Sequence, residues 1–535
     1  MRAGSFTILG LLGLWLGGCG DASSGQNPVG SAGSPTTGGS AGTGGSVGTG
    51  GSSAFVDPPA AEPDMTGLVT TSAKWILVTG NTSAAIGSSL DFIDLESGMH
   101  YPVNSTKQPI AYGYWSPDQK SFVFSGADGA SDKSLSIVRL TRNGFVPARL
   151  VSGYEGTLGA FSLLKWDETS RFFVAARSGS MSSGVEVVDA VLGKRLGHVD
   201  FQPSFSYNFA PKGLYFGWLH GDATAYDSGL ARVVKDGISA PTALPAGAYT
   251  PQFSNDGARA FFGRKEGEPN VVREYYLDLP DTTPKELKLL AEGEKLNGAA
   301  SPGPTADSVL AYVQKTDGDR QFVRAFVDGR PRVALSDPSK KVRFAFSSND
   351  QNIHAVDYET SLEIVRAEPY VRLPLPGLNE MDASNYWTAG IVGQHVYHQV
   401  AGRLYVASID AAGALQDVAV GAPGESVSVC EFYISHEPTT KLAYRTEKDG
   451  LNQVVVVDLA ASPPAVLARV TASAPGNGLY CPDFSLDESS MVVSETGGAS
   501  KMGKLYGVKW TSGVASQPEV LLEAEGTLQA RAFSY

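Results

Sequence analysis

The sequence predicts an all-β fold, a β-propeller of repeated four-stranded blades behind a disordered tether. Short apolar runs with period-two alternation, cut by Gly, Pro, Asn and Asp, fill the chain after Asp57-Pro58-Pro59. That is the pattern of half-buried strands. A motif best seen at Tyr114-Trp115-Ser116-Pro117-Asp118, an aromatic residue before a Ser-Pro-Asp turn, recurs at about 43 to 51 residues or near twice that, the period of a propeller blade. Finally, Arg531-Ala532-Phe533-Ser534-Tyr535 match the first strand of such a unit with nothing after it. Lys74-Trp75-Ile76-Leu77-Val78 match a second strand with nothing before it. The C-terminal strand is therefore expected to complete the N-terminal blade and leave no open ring edge. Pro284 to Gly293 is the best helix candidate.

A chain of 535 residues, 42 % hydrophobic and 18 % charged, has ample length for a large core. Its formal net charge is -13 and no basic block interrupts it. A nucleic-acid partner is not expected, because phosphate binding rests on Lys and Arg.

Three segments follow in order. Residues 1–18 carry one positive charge at Arg2 and an apolar run from Phe6 to Leu16, a secretory signal too short to remain as a spanning helix. The run ends in Leu16-Gly17-Gly18-Cys19, which resembles the bacterial lipobox. That resemblance implies cleavage before Cys19 and lipid attachment to its sulfur, with two or more acyl chains giving a stable anchor. Gly20 rather than Asp follows Cys19, which in lipoprotein sorting leans to the outer membrane over the inner, on its periplasmic or surface face. Residues 19–56 are mostly Gly, Ser, Thr and Ala. They cannot bury enough surface to offset their ordering entropy and are expected to form a disordered tether, about 35 residues reaching roughly 30 Å. The G-x-S-x-G matches at Gly38 and Gly44 lie in this tether, without the strand and helix a nucleophile elbow needs. Residues 57–535 form the propeller domain.

Within that domain the turn motif recurs after Trp166, Phe209, Phe253, Phe346, Tyr433 and Phe484, with degenerate copies near Ser301-Pro302 and Ile391. The expected count is eight to ten blades, in one ring. In phase with it, Asp94, Asp189, Asp278, Asp328, Asp410 and Asp458 close apolar runs. At each, Asp bonds its own backbone and starts the turn to a fourth strand. The combined pattern resembles the TolB-like propeller repeat family over roughly residues 74 to 535. The resemblance implies a propeller fold shared by periplasmic scaffolds, lactone-handling enzymes and non-catalytic domains of oligopeptidases, and leaves function open.

Cys430 and Cys481 precede the aromatic anchors of two consecutive units, so a disulfide between adjacent blades is expected in an oxidising compartment. His395 and His398 would point to opposite faces of one strand, and Asp317-Gly318-Asp319 reads as a hairpin turn rather than a calcium loop. No metal site, catalytic set or cofactor is expected, and no ligand-binding residue is assigned. The tryptophans do not repeat at one place in the unit, as a quinoprotein pattern would require. No residues remain for a hydrolase domain, so an oligopeptidase is not expected. The reading is a lipid-anchored, non-catalytic binding or scaffold propeller of the cell envelope, with a protein or envelope component as partner. Its alternative is a lactonase- or lyase-like enzyme with its site at the ring axis.

Overall fold

The structure is a computed structural model that describes residues 62–81, 90–103, 113–125, 135–153, 165–177, 183–201, 205–210, 215–222, 225–234, 237–266, 271–315, 318–348, 350–358, 361–376, 389–400, 403–423, 425, 427–430, 440–485, 487–497 and 502–534. The signal peptide 1–18, Cys19 and the tether 19–56 lie outside the described residues. Pro58 onward forms one compact unit.

Every described element is a strand, and the strands assemble into ten antiparallel sheets. Each is a meander running from an inner to an outer strand. Their inner strands, in order from blade 2, are Gly113–Trp115, Lys165–Trp166, Phe205–Phe209, Gln252–Phe253, Ser301–Pro302, Phe344–Ser347, Ala389–Val392, Ser428–Val429 and Asp483–Phe484. Blade 1 is the composite one. Its inner strand is Thr527–Ser534, hydrogen-bonded to Trp75–Asn81, followed outward by Leu90–Asp94 and His100–Pro102. The expected closure is formed.

Alternation explains how blades stack. In blade 2, Val123 and Ile137 face Phe173 and Val188 of blade 3, while Phe122 and Val138 face Trp75 and Phe92 of blade 1. Ten such apolar clusters join consecutive blades, and the last sets Val492 and Leu505 of blade 10 against Leu528 and Ala530 of blade 1. This unbroken cycle defines one ring. The chain is a ten-bladed β-propeller. Each fully buried Val, Leu or Phe contributes roughly 1.5–3 kcal/mol, so stability is spread evenly round the circle.

One expectation changes. Pro284 to Gly293 is not a helix: Lys285–Leu287 is the outer strand of blade 5, paired with Glu274–Tyr276. Tertiary pairing overrides a short helical pattern. The Tyr433 copy of the motif in blade 9 lies outside the described residues, and the described part of that inner strand is Ser428–Val429. Before blade 1 begins, Val69–Thr70 pairs with the outer strand Gly144–Leu150 of blade 2 and covers its edge.

Candidate functional site

An antiparallel meander puts two kinds of connection at its two ends. The turns from first to second and from third to fourth strand share one end, the turn end. The hairpins between second and third strands, and the crossovers to the next blade, share the other.

The turn end carries the repeated motif, and its chemistry is the same from blade to blade. Ser116, Ser254, Ser348 and Ser485 each donate a hydroxyl hydrogen bond to the Asp two residues on, at 2.6, 2.6, 2.5 and 2.7 Å. Each also accepts the backbone N–H five residues on, from Ser121, Arg259, Ile353 and Ser490 at 2.9 to 3.1 Å. The residue after the Asp has a left-handed backbone: Gln119, Gly257, Gln351 and Glu488, with φ of 53°, 69°, 58° and 52°. In blade 3 Asp167 replaces the serine and accepts the Phe172 N–H at 2.8 Å. These groups form turns and link neighbours, as where Asp118 N–H donates to Ser170 Oγ at 2.9 Å. Strand-closing Asp residues do the same work. Asp94 accepts the N–H of Glu96 and Ser97, and Asp189 that of Val191 and Leu192. Asp278 differs, pairing with Arg259 and Lys285 instead.

The crossover end is held by buried carboxylates in unlike settings. Glu495 accepts from Ser473 Oγ at 2.5 Å, Tyr506 Oη at 2.6 Å, the Ser473 N–H and Asn477. Burial pushes its carboxyl up, but these donors outweigh that and hold it below the ordinary range. Glu363 accepts from Tyr358 Oη at 2.6 Å and pairs with Lys340. Among the described residues Glu274 accepts only the Ala300 N–H, at 2.7 Å, and its Oε2 is buried without a partner there. Burial raises its pKa to about 8, so at neutral pH it is a protonated acid fastening the crossover from blade 5 to blade 6.

The inner strands border the central opening of the ring, so an inner-strand side chain that stays exposed faces that space or its rim. Phe346 is 37 % exposed and Tyr480, between the two inner strand pieces of blade 10, is 38 % exposed. Phe344 meets Phe346 edge-on at 5.1 Å. Beside them Ser347 Oγ lies 2.9 Å from His354 Nδ1. His354 is fully buried, its Nε2 has no partner, and burial lowers its pKa to about 4. It is a neutral imidazole without an orienting carboxylate, a weak base for activating a serine.

The predicted site residues fall as follows. Cys430 and Cys481 form a disulfide between blades 9 and 10, with Cα atoms 5.5 Å apart. His395 and His398 take opposite faces of their strand, and His398 is buried with Nε2 2.9 Å from Asp417. Gly318 has φ of 90° in a hairpin between Ser308–Gln314 and Arg320–Phe326, while Asp317 lies outside the described residues. Among the described residues no three His, Cys, Asp or Glu side chains gather to hold a metal. Arg531 carries no sequence signal of its own, because its strand reads as ordinary alternation.

No family model matches the chain, and no curated protein matches it in sequence. Solved structures resemble it in architecture. A eukaryotic initiation factor is 10% identical, covering 86% of this chain and 98% of its own, with a TM-score of 0.44. Dipeptidyl peptidase 4 of Porphyromonas gingivalis is 10% identical over 76% of this chain and 59% of its own, with a TM-score of 0.41. TolB from Acinetobacter baumannii is 13% identical over 51% and 66%, with a TM-score of 0.26. These are likenesses of fold.

Proposed function

We propose that this chain is a non-catalytic binding propeller of the bacterial cell envelope, TolB-like in its repeats and held to the membrane by lipid on Cys19. The observation that carries the binding role is the division of labour at the inner strands. The crossover-end carboxylates are engaged in separate structural clamps, while Phe346 and Tyr480 remain exposed beside the opening. Exposed aromatic side chains are the usual anchors of an interaction surface. The Cys430–Cys481 bridge supports an oxidising compartment, and the lipobox-like Leu16-Gly17-Gly18-Cys19 supports export and anchoring.

Crosslinking and affinity purification from native envelope tests the role. A reproducible protein partner is expected; no partner, with turnover of a small molecule, overturns it. Cys19→Ser should release the protein from the membrane fraction, and unchanged fractionation would sink the anchor. The enzymatic reading, lactonase- or lyase-like, is favoured by one contact, Ser347 Oγ to His354 Nδ1. Covalent labelling of Ser347 by a serine-directed phosphonate, lost in Ser347→Ala, would support that reading over binding.

A further inference from the structure

Arg531 lies on the inner strand that seals the ring, and the register there is irregular. Leu77 is opposite Ala532 and Val78 is opposite Ala530, leaving Arg531 as the extra residue of a bulge. Bulges re-aim side chains and gather near functional sites. The guanidinium donates from Nε to Thr79 Oγ1 at 3.0 Å and from Nη2 to Gln529 Oε1 at 3.2 Å. Both acceptors are neutral, and among the described residues no third acceptor reaches the guanidinium. Elsewhere in the ring Arg171 and Arg343 are each neutralised by a buried Asp, 189 and 357, at 3.0 and 2.9 Å. Arg531 is half-buried and, among the described residues, has no such contact. Burial draws its pKa down, and Asp483 on the adjoining inner strand of blade 10 acts in the opposite sense from beyond ion-pair distance. A cation withdrawn from water and cradled by neutral groups costs stability unless an anion completes it.

We propose that Arg531 is an anion-binding residue at the central opening and that its ligand is a single carboxylate. The planar guanidinium suits a carboxylate, bound through two parallel N–H donors. The proximity of Asp483 and a chain charge of -13 oppose a dianion such as phosphate. The inference deepens the binding reading and rests on it.

The test is thermal unfolding of the full chain at neutral pH in sodium acetate against sodium chloride at equal ionic strength. A second arm compares N-acetyl-trialanine with its C-terminal amide, and a third uses inorganic phosphate. Acetate and the free-acid peptide should raise the wild-type midpoint by about 2 °C, with no response to the amide and less to phosphate. A response to acetate alone marks a small organic acid; one confined to the peptide acid marks a polypeptide carboxylate. Arg531→Gln should abolish the response while leaving the unliganded midpoint equal or higher, because it removes a half-buried cation that has no carboxylate partner among the described residues. A lower unliganded midpoint with the anion response intact, or a wild type indifferent to every carboxylate, overturns the proposal. So does phosphate outperforming acetate. Where the response is to the peptide acid, an envelope partner captured equally by wild type and Arg531→Gln overturns the proposal and leaves the binding reading standing, whereas absence of any partner strikes at that reading itself.

Discussion

At the turn end of the ring, four blades repeat one Ser-x-Asp solution down to a tenth or two of an ångström, whereas at the crossover end Glu274, Glu363 and Glu495 are each held by a different set of donors. Repetition is what a purely structural demand produces, since every blade must make the same reversal. Where the demand differs from blade to blade, the residues differ. A ligand approaching an almost symmetric ring can find a unique address only where the blades cease to match. That directs attention to the inner strands of blades 7, 10 and 1 and away from the motif that is easiest to see.

The comparison can be broken experimentally. Glu495→Ala should be the costliest change, about 3–5 kcal/mol by chemical denaturation, because it strands the buried donors of Ser473, Asn477 and Tyr506. A loss below 1 kcal/mol would mean the crossover clamps are not structural. Removing the bridge with Cys430→Ser and Cys481→Ser together opens a loop of 51 residues and should lose ~4 kcal/mol in the chain-entropy model. Reductant should reproduce that loss in the wild type and leave the double variant unchanged.

Glu274 gives a pH test. Its pKa rises from the ordinary 4.5 to about 8 on folding, so the unfolded chain releases this proton first. The stabilising contribution is complete below about pH 4.5 and is lost as pH rises through 8, with a slope of up to about 1.4 kcal/mol per pH unit. Glu274→Gln should abolish that slope in denaturation series from pH 5 to 9; an unaltered slope would assign it to other groups. The smallest effects belong to the turn end. Ser116→Ala, Ser254→Ala, Ser348→Ala and Ser485→Ala should each cost about 1 kcal/mol, and close to the same amount. One copy costing several times the others would show that its turn serves more than the fold.

Much of this architecture was legible because a blade advertises itself twice, at the aromatic-Ser-x-Asp turn and at the strand-closing Asp. Phase between the two echoes located even Ser301–Pro302 and Ala389–Val392, whose motifs are eroded. The count stayed at eight to ten because those eroded copies resemble insertions until their pairing partners are known. The disulfide was legible because Cys430 and Cys481 keep the repeat's phase. Glu274 and Arg531 were not. A Glu inside Val271–Asp278 looks like a solvent-facing strand residue until Gly263 opposite it removes a side chain and the Ala300 crossover folds over it. The bulge at Arg531 depends on a partner strand more than 400 positions away, since its bond to Thr79 spans 452 residues.

The composite blade also imposes an order on manufacture. Trp75–Asn81 is among the first strands to leave the ribosome, yet its inner neighbour, Thr527–Ser534, is among the last. Through almost all of synthesis the earliest blade carries a bare edge next to the future opening, the kind of edge that recruits foreign strands. Loss of the last eight described residues would leave nine complete blades and no seal. Such contacts between distant segments form slowly. For this protein the hazardous interval is the wait between its first strands and its last.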